Sequence, residues 1–149
     1  MTATTMPLSF RHVQMIWGVA TAFAVVCIVF GGFTRKDFEG GLDWRHWALV
    51  GLAGWSALSG FSARRKLLNR ASSSAKRNNP NAIAKTWTAA QLTGIMTAES
   101  VVIWGLISSV VIASPSLLSD AIFVAGILLL FKFKPSQPSY IRLIAVDKS

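Results

Sequence analysis

Four apolar stretches, each long enough to cross a lipid bilayer, dominate this chain of 149 residues. They run over about 13–33, 44–62, 85–113 and 117–133. About 20 helical residues cross the hydrocarbon core of a bilayer, and an α-helix satisfies its own backbone hydrogen bonds there. The sequence therefore predicts an all-α, polytopic membrane protein, with four transmembrane helices forming one bundle and a single membrane domain over 1–149.

The composition supports this prediction and excludes several other classes. Hydrophobic residues make up 52% of the chain and charged residues 14%, whereas a soluble domain has about 25% charged residues. Disordered chains, coiled coils and disulfide scaffolds do not have this composition. The single cysteine, Cys27, has no partner for an intrachain disulfide, and we interpret it as a small buried apolar residue. The first stretch exceeds the roughly 7–15 apolar residues of a signal peptide, so we expect a retained anchor helix.

The positions of the basic residues predict the orientation of the bundle. The net charge is +9, and most Lys and Arg side chains fall in a basic inner loop over 63–84 and an inner tail over 134–149. The connection between the first two stretches carries balanced charges instead. Because positive residues favour the cytoplasmic side, we expect both termini in the cytoplasm and a multi-pass protein of the bacterial inner-membrane type, in the cell membrane.

The basic inner loop is also a candidate contact for anionic lipid headgroups. The residues that we expect to make this contact are Arg64, Arg65, Lys66, Arg70, Lys76 and Arg77. The alternative is that they only anchor the chain by the positive-inside rule. No aromatic residues alternate with these basic residues, and no nucleic-acid module is recognisable, so we expect no nucleic-acid partner.

Catalytic, metal and cofactor sites find little support in the sequence. The charge-balanced connection that leads to His46 has residue types that bind metals, but no metal-ligand spacing, so we predict a solvated turn there. No Ser/His/Asp arrangement or phosphate loop is present. We therefore expect a non-enzymatic protein without a metal or a cofactor. Trp55 and Trp104 lie deep within their stretches, where a buried indole needs a hydrogen-bond acceptor.

Glu99 carries the strongest chemical signal, because it lies near the middle of the third stretch. An acidic side chain at the bilayer midplane costs at least about 2.5 kcal/mol and is a functional candidate by default. Helical spacing places Gln91, and more distantly Thr88, on the same face as Glu99. These three residues are the candidate proton- or cation-binding site. The alternative is a protonated Glu99 that is hydrogen-bonded to a neighbouring helix and fixes the bundle.

The string MTAESVVIWGL over 96–106 resembles the proton-binding helix of rotary ATP synthase c subunits. By this resemblance, Glu99 takes the position of the proton-binding carboxylate, Trp104 stands where that family has Tyr or Phe, and Gly105 and Leu106 match. A looser resemblance covers 44–111, where a helix with small residues, a basic loop and the Glu helix follow one another. The chain differs from the family in its long loop, in its two additional helices and in lacking a run of alternate glycines.

Two functions follow from these observations. The first is a non-enzymatic subunit or scaffold of a membrane assembly, which associates with itself or with a larger membrane complex. Its basis is the spacing of the small residues Ala53, Ser56, Ala57 and Gly60, which permits close helix packing. The alternative is a c-subunit-like protein that translocates protons or cations through Glu99. In both cases the expected surroundings are the lipid bilayer and its anionic lipids.

Overall fold

The four predicted helices are present in the structure, a computed structural model that describes residues 8–34, 42–75, 80–112 and 115–136. We number them in chain order as α1 (Leu8–Phe33), α2 (Trp44–Ala75), α3 (Pro80–Val110) and α4 (Ser116–Lys132). No strand occurs within these ranges. The all-α class and the number of helices are thus confirmed.

The helix ends differ most from the sequence prediction around the basic loop, and α1 begins at Leu8, five residues before its predicted start. Helix α2 continues to Ala75, and α3 already begins at Pro80. The segment 63–84, which we expected to be a loop whose part over 64–70 could extend the second helix, is helical over 63–75 and over 80–84. Hydropathy shows where lipid-facing sequence ends, but Arg, Lys, Leu and Ala continue a helix equally well in water. A proline in the first helical position, as in Pro80, is favourable because no N–H is needed there.

Helix α3 is the centre of the bundle and packs against each of the other three helices. Phe10 stacks on Trp87 and Gly31 approaches Ser109, so α1 runs parallel to α3. Gly60 of α2 lies against Thr97, whereas Arg64, one turn later in α2, lies against Gly94, which is three residues earlier in α3. Helix α2 is therefore antiparallel to α3. Helix α4 is also antiparallel to α3. The helices thus alternate in direction along the chain.

Two pairs of helices barely touch: α1 with α2, and α2 with α4. Close packing is concentrated instead on α3, where small residues permit it. Ala53 of α2 is buried in a cluster with Val101 and Ile122, and Gly60 lies directly against the Thr97 side chain. The small residues of α2 therefore serve packing within the chain itself.

Large apolar side chains are exposed on all four helices. Examples are Val19, Val26, Phe33, Trp55, Leu58, Met96, Leu117 and Leu128. Two helices, over Phe10–Phe33 and Ala82–Val110, are long and apolar enough to cross a membrane. The other two helices are less clearly of this kind. Helix α4 has only 17 residues, which is the short limit for crossing a bilayer. Helix α2 contains glycine, serine and charged residues among its apolar residues.

Candidate functional site

Glu99 lies on the side of α3 that faces α1, where its carboxyl interacts electrostatically with the buried Cys27 thiol. The side chain is partly exposed, and no described residue forms an ion pair or hydrogen bond with it. Gly94, which approaches the Arg64 side chain, is only five residues away, or about 7.5 Å along the helix. Glu99 therefore lies beyond the level of Arg64, on the side away from the basic end of the bundle.

The other two residues of the predicted polar face do not join Glu99 in one site. Gln91 is 3% exposed, and its Oε1 atom has no hydrogen-bond partner among the described residues. Thr88 is partly exposed. Gln91 and Glu99 are separated by eight residues, about 12 Å along the helix, which is too far for a direct hydrogen bond. Gln91 and Glu99 therefore do not contact each other.

A second polar face of α3, which the sequence analysis did not single out, lines a groove against α2. This groove of about 290 Å³ is bordered by Ser56, Ser59, Gly60, Thr93, Met96, Thr97 and Ser100. Three of the hydroxyls donate to backbone carbonyls one turn earlier: Thr93 to Ala89, Thr97 to Thr93 and Ser100 to Met96. Their protons are therefore already engaged, and the groove presents mainly acceptor lone pairs.

Two polar contacts tie neighbouring helices to α3. The indole Nε1 of Trp104 donates to Ser56 Oγ at 3.1 Å, so this tryptophan has the acceptor that a partly buried indole needs. The hydroxyls of Ser108 and Ser119, both fully buried, are 3.1 Å apart. Trp55, in contrast, is 72% exposed and needs no acceptor within the chain.

At the opposite end of the bundle, Asp43 caps helix α2. Its Oδ1 accepts the backbone N–H of Arg45 at 2.9 Å and lies 2.8 Å from Nδ1 of the buried His46. Partial desolvation opposes ionisation, but the hydrogen bonds from Arg45 and His46 outweigh it and lower the pKa of Asp43. Within the described ranges, no three His, Cys, Asp or Glu side chains come together as metal ligands.

The predicted headgroup residues divide into two groups in the structure. Arg65, Lys66 and Arg70 are exposed, while Arg64 is half-buried and its Cζ atom lies 4.8 Å from the ring centroid of Phe133. Lys76 and Arg77 lie outside the described residues. Two further cations belong to the same end of the bundle. Lys132 Nζ lies 4.6 Å from the ring centroid of Phe61, and Lys134 Nζ lies 5.4 Å from that of Trp17.

Lys132 and Lys134 were not among the predicted headgroup residues. Their contacts with Phe61 and Trp17 join residues that are far apart in sequence, so spacing gave no signal for them. The only hint in the sequence was the alternation of Phe and Lys over 131–134. Such a mixture is typical of a membrane–water boundary.

Comparison with known proteins does not add a family to this picture. No family model, no curated protein and no solved structure matches the chain.

Proposed function

We propose that this chain is an integral membrane protein in which all four helices cross the bilayer, and that it is a non-enzymatic subunit or scaffold of a membrane assembly. The observation that carries the proposal is the distribution of exposed side chains. Large apolar residues are exposed on every helix, and contiguous exposed apolar surface marks contact with lipid or with other proteins. The cell membrane, with both termini in the cytoplasm, is the proposed location.

Charge segregation supports the same proposal. Asp43, Arg45 and Asp120 belong to one end of the bundle. The other end has the side chains of Arg11, Arg64, Arg65, Lys66, Arg70, Lys85, Lys132 and Lys134. Among the described residues, only Glu99 places a charge between these two ends. The excess of positive charge at one end is the pattern expected of a cytoplasmic face.

The experiment that tests the scaffold role is the native mass of the protein after gentle detergent extraction from its own membrane. Co-purification with other, larger subunits at fixed stoichiometry is the expected result. Alkaline carbonate washing of the membranes is the control, since an integral protein stays in the pellet. A monomer that carries no partner would contradict the scaffold role, and release by carbonate would contradict the membrane placement.

A second candidate function is translocation of a proton or cation through Glu99, as in the c subunits that the segment 96–106 resembles. It is favoured by one observation: no described side chain holds this carboxyl by a hydrogen bond, as a purely structural glutamate between helices requires. For this function we expect Glu99→Gln to abolish proton flux in reconstituted vesicles, while Glu99→Asp retains part of it. Asp120→Asn, at the end of the bundle, is the matched control. Equal flux in Glu99→Gln and the unmodified protein would exclude the function.

A further inference from the structure

An apolar groove runs between α2 and α4, because these two helices barely touch and leave α3 as its floor. The groove holds about 290 Å³ and is lined by residues that include Ala53, Gly54, Ala57, Val101, Ile122 and Leu129. It continues into an apolar cavity of about 330 Å³ near His46 and Trp47, since both are bordered by Val50, Leu118 and Ala121. The groove therefore follows the two helices over much of their common length.

At the basic end, this groove leads to a cluster of two aromatic rings and two cations. Phe61 follows Ala57 by one helical turn, and Phe133 follows Leu129 by the same interval. The two ring centroids are 5.7 Å apart. Arg64 lies over Phe133 and Lys132 lies over Phe61, so each ring supports one positive charge. We call these four residues the inner cluster.

The cations of the inner cluster have no anionic partner among the described residues. The Nε atom of Arg64 is buried without a hydrogen-bond acceptor, and burial lowers the pKa of this guanidinium. The described residues contain three carboxylates. Asp43 and Asp120 belong to the opposite end of the bundle, and Glu99 lies on the side of α3 that faces α1. A partly buried cation without a counter-ion is costly, so an external anion stabilises this arrangement.

We infer that the inner cluster and the groove together bind one acidic phospholipid. Its phosphate oxygens accept hydrogen bonds from Arg64 and Lys132, and one acyl chain lies in the groove between α2 and α4. The planar guanidinium presents paired N–H groups that match phosphate oxygens, and Phe133 holds it from one face. An apolar chain matches a groove lined by Ala, Gly, Val, Ile and Leu. This inference rests on the proposed membrane placement.

The test compares lipid retention by native mass spectrometry in nanodiscs of phosphatidylcholine with and without phosphatidylglycerol. Arg64→Gln removes the central cation, and Arg65→Gln is its matched control, because Arg65 is exposed and next in sequence. A basic residue near an anionic surface contributes about 1 kcal/mol, or about fivefold, whereas a charge-assisted hydrogen bond adds to this. We expect retention of phosphatidylglycerol to fall about tenfold or more for Arg64→Gln, and about fivefold or less for Arg65→Gln.

A groove variant separates a lipid from soluble phosphate as the source of the anion. Gly54 borders the groove, and a Cβ atom there meets nothing within 4 Å, so Gly54→Leu fills the groove without disturbing the helices. We expect this variant to retain less phosphatidylglycerol while binding inorganic phosphate as the unmodified protein does. If Gly54→Leu retains lipid fully and inorganic phosphate displaces it, the site binds free phosphate and the lipid assignment is overturned.

Equal losses for Arg64→Gln and Arg65→Gln would also overturn the inference, because they would show diffuse attraction to an anionic surface. Arg64→Lys keeps the charge but loses the paired N–H groups, and it is the control for a folding defect in Arg64→Gln. We expect it to retain an intermediate amount of lipid. Failure of the membrane placement would be recognised separately, since the protein would then not enter nanodiscs of either composition.

Discussion

At the scale of single residues, the closest packing in the bundle depends on glycines whose positions the sequence alone does not rank. Gly60 lies against Thr97, whereas a Cβ atom on Gly54 would meet no neighbour within 4 Å. Both glycines lie on the same helix, six residues apart. The two glycines differ because Gly60 lies on the side of α2 that faces α3, whereas Gly54 does not.

We predict that Gly60→Ala destabilises the bundle by about 1–3 kcal/mol, the usual cost of overpacking. The added methyl group overlaps the Thr97 side chain, so Thr97→Ala in the same chain is expected to restore part of the loss. Unfolding in mixed detergent measures the free energy. Gly54→Ala is the control, with an unchanged or slightly higher stability because alanine favours helix. Equal stability of the two single variants would contradict this packing.

We also predict an acid-sensitive contribution from the Asp43 cap. Its pKa in the folded protein is lowered, so its contribution is complete above the ordinary aspartate pKa of about 3.9. It is lost as the pH falls further, through the folded pKa. Thermal unfolding measured from neutral to acidic pH in detergent is expected to show a steeper loss for the unmodified protein than for Asp43→Asn. Parallel curves would show that the cap does not titrate in this way.

The sequence predicted the burial of some side chains and not of others. Cys27 is buried as expected, because it lies on the side of α1 that packs into the core of the bundle. Trp55 is exposed although it lies deep in its apolar stretch, since depth along a helix does not determine which side faces the bundle. The contact of Arg64 with Phe133 joins residues of two different helices, which no local pattern reveals.

At the scale of helices, α1 is attached mainly through α3. Gly31 is central to this contact, because a Cβ atom there would lie 2.9 Å from Ser109 Oγ and 3.1 Å from Phe123 Cζ. Cys27 is one turn away on the same face and is 5% exposed. Its thiol is therefore a reporter of how closely α1 packs.

We predict that Gly31→Val separates α1 from the bundle and increases the rate of maleimide labelling of Cys27. An overpacking cost of about 1–3 kcal/mol corresponds to an increase of roughly fivefold or more. Gly32→Val is the matched control, since a Cβ atom on Gly32 has no neighbour within 4 Å. The same labelling rate in both variants would argue against α1 packing through Gly31.

The helices themselves were predictable because apolar length is a strong signal, and three of the four differ from prediction by only a few residues at either end. The continuation of α2 over 64–70 was open as an alternative, and its further extension to Ala75 was not predicted. Its residues beyond 62 pass from apolar to basic, which marks a boundary between lipid and water while the backbone remains helical.

At the scale of the whole molecule, alternating helix directions place the basic residues together at one end. In the proposed membrane, this end faces the cytoplasm. We predict that a membrane-impermeant maleimide labels Leu117→Cys in intact cells and labels Arg65→Cys only after lysis, both in a Cys27→Ala background. Both positions are exposed. The reverse pattern would invert the proposed topology, and labelling of both before lysis would contradict it.

The central position of α3 has a consequence for how the chain assembles during synthesis. Helices α1 and α2 emerge from the ribosome first but barely touch each other, so they form no stable hairpin before α3 is synthesised. Assembly begins only when α3 has emerged and offers each of them a surface. Ribosome-bound chains that end before α3 are therefore expected to hold two independent helices, and the late arrival of the third helix sets the order of assembly.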